Sequence, residues 1–313
     1  MISSILDKRR PVNFIIIAGY LFLYLATSRY LLFRKAVSFF TVASDLWMLV
    51  LLMTTVFLAD FIDRKNSLSG NNAYVLLLFT ISISLFPEVL TDHIIIPAHF
   101  FVLLAMRRIL SLSNEKQTRQ KIFDAALWIS AATLLYTWSV LYFIALYMAI
   151  ILYTPKNYKN WVIPFIAFMA ALIMRYTWFL WFETGADFLS VFRFKIQGLY
   201  ITYSLTGYFI PFAFLTLTGF IATLAYGVRS VRKRTLKQTT GFLMIIALLT
   251  GISMVLFFGN AERTTLVFMM FPFSVFFANY LDRIKKKWIK EAVIWIFLLA
   301  PAAVLMLQLD TVR

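Results

Sequence analysis

An all-α, polytopic transmembrane helix bundle is the fold class that this sequence predicts, and three features of its composition predict it. Hydrophobic residues make up 62% of the 313 residues and charged residues only 14%, whereas soluble domains have about 45–50% and about 25%. Aromatic residues reach 18%, and the mean hydropathy is +0.82. A soluble fold of this size cannot bury so much apolar surface, so we expect a single transmembrane domain over residues 1–313.

The composition also excludes several kinds of site and partner. The chain has no cysteine, which excludes disulfides and cysteine-bound metals, and its two histidines are too few for a multi-histidine metal centre. A net charge of +16 would suggest nucleic acid in a soluble protein, but in a membrane protein it indicates basic loops that face anionic headgroups. We therefore expect membrane lipids as partners and no nucleic acid.

Apolar runs between polar breaks predict about eleven spans, to within one, because a bilayer core about 30 Å thick takes about 20 helical residues. The runs are 13–33, 45–62, 73–90, 93–108, 122–136, 139–153, 161–181, 203–228, 240–258, 264–281 and 291–309. Residues 122–153 would be about 50 Å long as one helix, too long for one crossing. We predict a hairpin of two short helices there instead.

The basic residues predict the orientation of these spans. Of the 30 Lys and Arg residues, 22 fall in loops on the side of the N-terminus, seven fall on the other side, and Arg175 falls within a run. Cytoplasmic loops are the ones enriched in Lys and Arg, so we expect the N-terminus inside and the C-terminus outside. The longest stretch between runs, 182–202, then lies outside, where Arg193 favours an amphipathic helix on the membrane surface.

The fourteen carboxylates divide evenly between the two predicted sides. On the inner side most of them neighbour Lys or Arg, as Asp63 neighbours Arg64 and Asp282 neighbours Arg283, so we expect solvated ion pairs there. On the outer side basic residues are few, and both histidines lie on that face or just below it. The outer face is therefore where the sequence directs the search for a functional site.

Glu88, Asp92 and His93 form a tight bend between two outer run ends, and two interpretations stay open. The bend is either an acidic cluster that acts as a base or holds Mg²⁺ or Mn²⁺, or a polar hairpin in which Asp92 caps the next helix. No other metal or cofactor is indicated. His99, about two turns deeper, is either a hydrogen-bonded interior residue or a functional group at membrane depth.

Further candidates lie at or near the outer ends of other runs. Asp45 is either an N-cap with Ser44 or a general base at the membrane face. Glu262 and Arg263 either pair with each other, or Arg263 binds the phosphate of a lipid, since a guanidinium fork is well matched to phosphate oxygens. Arg175 either snorkels to the interface or faces an anionic group in a cavity.

Two stretches carry a family resemblance. Residues 91–108, which open on Thr91-Asp92-His93 and end on Arg107-Arg108, followed by the hairpin 124–153, resemble the middle of membrane-embedded glycosyltransferases of the GT-C class. The segment from Glu262 to the proline at 272 is similar to a late span of the same enzymes. The resemblance implies a GT-C-like core, a polyprenyl-phosphate-linked sugar donor and inverting transfer at the periplasmic face. By its position, Asp45 corresponds to the base.

A narrower resemblance concerns residues 8–13 and 64–72, which are similar to a bacterial inner-membrane family of unknown function. It implies a multi-pass protein of the bacterial inner membrane and no particular chemistry. The leading hypothesis is a periplasm-facing glycosyltransferase-like protein, in which Arg263, with Arg175 or Arg193, neutralises the departing lipid phosphate. The alternatives are a non-enzymatic subunit or assembly factor of an envelope complex, and a transporter of small solutes or lipids.

Overall fold

The computed structural model describes residues 6–7, 9–32, 38–114, 116–155, 157–182, 210–230, 236–258 and 263–312. These residues form helices and turns, with no strand among them. The α-helices are α1 (Pro11–Thr27), α2 (Phe39–Asn66), α3 (Tyr74–Ser84), α4 (Pro87–Leu90), α5 (Ile95–Leu110), α6 (Thr118–Leu135), α7 (Tyr142–Tyr153), α8 (Lys159–Phe182), α9 (Ile210–Ser230), α10 (Leu236–Phe258), α11 (Val267–Arg283) and α12 (Lys287–Val312). The all-α prediction is confirmed.

Each of the eleven apolar runs overlaps at least one of these helices. Within the described residues, α1, α2, α5, α8, α10, α11 and α12 are long and apolar enough to cross a membrane, and α3, α7 and part of α9 are shorter apolar helices. The run 73–90 divides between α3 and α4, since Pro87 lacks the N–H that would continue the helix. The run 203–228 begins outside the described residues.

The predicted division of residues 122–153 into two helices is confirmed. Helix α6 ends at Leu135, and Tyr136 takes an extended conformation with φ −132° and ψ 106°. A 3-10 turn, Thr137–Leu141, then leads into α7. One extended residue breaks the helical hydrogen-bond ladder, and the short helices on either side stay within the length of a single crossing.

The most buried helices are α3 and α11. In the segment Thr264–Arg283, which contains α11, 89% of the residues of its 18-residue apolar window are buried, and α11 packs against α3, α9 and α10. A helix that is apolar on every side either spans a membrane or lies among other helices, and the burial of all four phenylalanines between residues 268 and 276 places α11 among other helices. In the peripheral α8 only 22% of the residues of the corresponding window are buried, and large apolar side chains such as Trp181 are exposed.

One close helix contact gives a testable prediction. A Cβ atom at Gly251 of α10 would lie 2.9 Å from the backbone N and Cα of Met269 in α11, whereas a Cβ at Gly19 of α1 would have no neighbour within 4 Å. We expect Gly251→Ala to lower the midpoint of thermal unfolding in detergent, because the two helices must separate, at a cost of about 1–3 kcal/mol. Gly19→Ala is the matched control and should leave the midpoint unchanged or raise it. Equal midpoints for the two variants would contradict the packing of α10 on α11.

Two polar clusters lie at opposite ends of α1. Its 17 residues span about 25 Å at 1.5 Å per residue, which separates Arg9, before the helix, from Arg29, after it. The Arg29 cluster comprises Arg29, Tyr30, Ser44, Asp45 and His93. The Arg9 network comprises Arg9, Asp60, Asp63, Ser69, Gly70, Asn72 and Asp282.

Candidate functional site

The Arg29 cluster joins α1, α2 and the turn before α5 through one buried guanidinium. Arg29 is 2% exposed, and its Nε lies 2.7 Å from Oδ1 of Asp45 in an ion pair. Its Nη2 lies 3.1 Å from Nε2 of His93. The hydroxyl of Tyr30 donates to Oδ2 of Asp45 at 3.1 Å, so both carboxylate oxygens have partners. Through these contacts Asp45 fixes the position of Arg29.

A π-helical turn, Ser28–Leu32, brings Arg29 and Tyr30 to the same carboxylate. Consecutive residues of a regular α-helix point about 100° apart and do not face one partner. The turn begins directly after α1, where the Ser28 hydroxyl donates to the carbonyl of Tyr24 at 2.8 Å. Short π-helical insertions are frequent at functional sites, which adds weight to this part of the chain as a candidate site.

His93 forms the exposed side of the cluster. Its Nε2 lies within reach of Arg29 and, at 3.5 Å, of the Ser44 hydroxyl. A guanidinium only donates hydrogen bonds, so in this contact Nε2 is the acceptor and the imidazole is neutral, with its proton on Nδ1. The next residue back, Asp92, accepts from the backbone N–H groups of Ile94 and Ile95 at 2.8 and 2.9 Å. These bonds hold Asp92 in the turn before α5, but the N-cap of α5 itself is Ile94, which makes no side-chain cap hydrogen bond.

The N-cap interpretation of Asp45 is wrong. Helix α2 begins at Phe39 with Ser38 as its N-cap, and Ser38 and Thr41 form a reciprocal capping box. Asp45 therefore lies in the second turn of the helix, where its side chain reaches Arg29. The other interpretation, a general base, is untested by the geometry, but a base must accept a proton from substrate and Asp45 already has two strong partners.

Glu88 lies on α4, which packs against the 3-10 turn Arg263–Leu266. It is half-buried and interacts electrostatically with Tyr24 of α1. The structure thus brings the 88–93 bend close to the backbone of residue 263. The side chains of Glu262, Arg263 and Arg193 lie outside the described residues, as does most of the segment 182–202.

His99 and Arg175 lie away from the Arg29 cluster. His99 is 1% exposed, and its ring lies between Phe79 of α3 and Phe268 of α11, with ring centroids 5.9 and 5.5 Å away. Within the described part of the chain neither of its ring nitrogens has a hydrogen-bond partner, so the hydrogen-bonded interpretation is wrong for these residues. Arg175 is half-buried on α8, which packs against α6 and α7.

The Arg9 network was not anticipated from the sequence. Asp60 and Asp63 are both 0% exposed, so the expectation of solvated ion pairs is wrong for them. Asp63 binds Arg9, 54 residues earlier, and also accepts from the N–H and hydroxyl of Ser69. Arg64, the expected partner of Asp63, pairs with Asp60 at 3.0 Å. Burial of two carboxylates requires such partners, because an unpaired charge in the interior is strongly unfavourable.

The same network fixes the loop between α2 and α3 onto the end of α11. Asn72 donates to both carboxylate oxygens of Asp282 at 2.6 and 2.8 Å, and the Gly70 N–H donates to Oδ2 at 3.2 Å. Nearby, burial raises the pKa of Asp7, but hydrogen bonds from Tyr74 and Lys290 outweigh burial and leave this pKa below its usual value. The network therefore connects the beginning of the chain with the end of α2, the loop that follows α2 and the end of α11.

The arrangement does not form a metal site among the described side chains. In that part of the chain no group of three or more His, Asp or Glu residues is placed to hold a metal ion. Asp92, the candidate ligand in the outer bend, already uses one oxygen to accept from the backbone N–H groups of Ile94 and Ile95.

The chain belongs to a protein family described as a family of unknown function (DUF6427), whose family model matches residues 1–311. No curated protein and no solved structure matches the chain. The family match therefore covers both polar clusters and every helix named above but assigns no activity to them.

Proposed function

We propose that this member of the DUF6427 family is a glycosyltransferase-like membrane protein that binds a polyprenyl-phosphate-linked sugar at the Arg29 cluster. The observation that carries the proposal is the buried guanidinium of Arg29, held by Asp45 and covered on its exposed side by His93. Ionisable groups within membrane-spanning segments are costly and commonly functional, and a guanidinium fork is well matched to phosphate oxygens. The donor's phosphate displaces the His93 ring and takes its place against Arg29.

The proposed topology places this cluster at the periplasmic face. All eleven apolar runs cross the inner membrane of a bacterium, with the N-terminus in the cytoplasm and the C-terminus in the periplasm. Several basic residues lie together at one end of the helix bundle. Lys121 interacts electrostatically with Lys65 and Arg108, and Arg64 pairs with Asp60 of the Arg9 network. Since basic loops favour the cytoplasm, the opposite end, with the Arg29 cluster, faces outward.

In the proposed reaction an acceptor hydroxyl attacks the anomeric carbon of the sugar from the face opposite the lipid phosphate. The bond between that carbon and the phosphate oxygen breaks, so the configuration inverts, and the lipid phosphate leaves with the bonding electrons. Arg29 neutralises the departing phosphate, with Arg263 as a second cation. Glu88 or Asp92 takes the proton of the acceptor, because Asp45 is already engaged with Arg29 and serves to position it.

The proposal is tested by identifying what the protein carries. The protein purified with native lipids should show a bound polyprenyl phosphate sugar by native mass spectrometry. Arg29→Lys should reduce the bound fraction about tenfold, because an ammonium cannot replace the fork. Arg10→Lys is the matched control, since Arg10 is exposed beside the other end of α1 and should retain the lipid.

Each of the alternative functions predicts a different outcome of the same experiment. A transporter would carry the lipid or a solute but would not consume the donor when an acceptor is added. An assembly factor would copurify with envelope proteins and carry no sugar lipid in either variant. Wild-type protein without any polyprenyl phosphate species would contradict the glycosyltransferase proposal.

A further inference from the structure

A second candidate binding site lies at the basic end of the bundle, where α2 and α5 end and α6 begins. The ring of Phe61 on α2 is 37% exposed, and two cations flank it. The Cζ atom of Arg107 lies 5.0 Å from the ring centroid and the Nζ atom of Lys65 lies 5.7 Å from it. We call Phe61, Lys65, Arg107, Arg108 and Lys121 the Phe61 groove.

The groove holds more positive charge than its described partners neutralise. Arg108 pairs with Asp124 at 2.9 Å, and Lys121 donates to the backbone carbonyl of Ser111 at 2.7 Å, a contact that leaves its charge in place. Burial lowers the pKa of Lys121, and the neighbouring charges of Lys65 and Arg108 lower it further. Lys121 is therefore repelled by Lys65 and Arg108, and an anion bound among these cations would relieve that repulsion.

Arg107 provides the second, independent indication of a ligand. Its Nε is buried, and among the described residues it has no hydrogen-bond partner. A buried guanidinium N–H normally finds an acceptor, because leaving it unpaired costs about 1–3 kcal/mol. The described residues around the groove do not supply that acceptor, and a phosphate oxygen has the charge and geometry to do so.

We propose that the Phe61 groove binds the phosphate headgroup of an anionic phospholipid, with an acyl chain against the exposed ring of Phe61. Charge complementarity selects the phosphate. The position of the groove favours a lipid over free phosphate. Phe61 belongs to the apolar helix Phe39–Asn66, which is long enough to cross a membrane, and the cations lie at or beyond the helix ends. Basic pockets between transmembrane helices bind such headgroups. This proposal does not depend on the proposed glycosyltransferase function.

Native mass spectrometry of the full-length protein in detergent, titrated with phosphatidylglycerol, tests the proposal. We expect one tightly bound phosphatidylglycerol per chain and none with phosphatidylcholine of the same acyl chains. The double variant Lys65→Ala/Arg107→Ala should weaken binding about 10- to 30-fold, since each basic residue near an anionic lipid surface contributes about fivefold. Lys116→Ala/Arg119→Ala removes the same charge from exposed neighbouring positions and should change binding less than about twofold.

Other results would overturn the proposal. Equal weakening in the two double variants would indicate diffuse attraction to basic loops and no defined groove. Competition by inorganic phosphate at the same concentration as the lipid would indicate a site for free phosphate. Binding that survives Lys65→Ala/Arg107→Ala unchanged would place the lipid elsewhere. Thermal unfolding of each variant without lipid identifies a loss of binding that is due only to misfolding.

Discussion

Arg9→Ala is expected to destabilise the protein by about 3–5 kcal/mol, because removing one partner of a buried ion pair leaves an uncompensated charge. Asp63 is 0% exposed and loses its guanidinium, and Asp60 loses one of its two cations. The Arg9 side chain is itself only 11% exposed, so water cannot screen the loss effectively. The backbone carbonyls of Gly70 and Asn72 also lose a donor.

The measurement is the midpoint of thermal unfolding in detergent, followed by tryptophan fluorescence. Arg10→Ala is the matched control, since Arg10 is the next residue, carries the same charge and is exposed. If charge burial is the cause, adding Asp63→Asn to Arg9→Ala should recover part of the loss. A midpoint for Arg9→Ala equal to that of Arg10→Ala would show that the network contributes little to stability.

The helices could be predicted from the sequence because lipid imposes a simple length rule. A run of apolar residues long enough to cross a bilayer has to be helical, since its backbone groups find no other partners in hydrocarbon. Each of the eleven runs therefore overlaps a helix. The break at Tyr136 was predictable as well, because one helix over 122–153 would be too long.

The number of crossings is harder to obtain from hydropathy, because short helices do not satisfy the length rule by themselves. Helix α3 has 11 residues, and ten of them are buried against other helices. The high hydropathy of this helix therefore reflects contacts with other helices and not contacts with lipid. Helix α6 has 18 residues but begins with polar ones, Thr118 to Lys121, which lower its mean hydropathy.

At the Arg29 cluster, features that depend on neighbouring residues could be predicted from the sequence, and contacts between distant residues could not. The polar turn at Asp92 was readable because its carboxylate binds the backbone N–H groups of the next few residues, Ile94 and Ile95. The position of Asp45 was misjudged, although Ser38 and Thr41 have the three-residue spacing of a capping box and would have started α2 earlier. The role of Arg29 could not be found, because a π-helical turn has no sequence signature that predicts it.

The Arg9 network likewise could not be predicted, because it joins residues that are even farther apart in the sequence. Its partners come from residues 9, 60–72 and 282, and charge pairing over such separations depends on how the helices pack. One signal was available. Asp60 and Asp63 lie one turn apart at the end of an apolar helix, and two carboxylates on one helix face near the membrane need a cation from elsewhere.

Arg29→Ala is expected to destabilise the protein by about 3–5 kcal/mol and to abolish binding of the sugar lipid, since it leaves the mostly buried Asp45 without its cation. The paired variant Arg29→Met/Asp45→Leu separates the two effects. Replacing both members of a buried ion pair by apolar residues is often neutral or stabilising, so unfolding should return to within about 1 kcal/mol of wild type.

Lipid binding by the paired variant shows whether the Arg29–Asp45 ion pair has a functional or only a structural role. If the Arg29 guanidinium contacts the phosphate, the paired variant should fold as well as wild type and still carry no polyprenyl phosphate sugar in native mass spectrometry. Tyr30 and His93 lose their charged partners in this variant, but Tyr30 is partly exposed and His93 is exposed, so water can replace those contacts. A stable paired variant that retains the lipid would assign the ion pair a structural role alone, and the search for the phosphate site would move to Arg175 or Arg263.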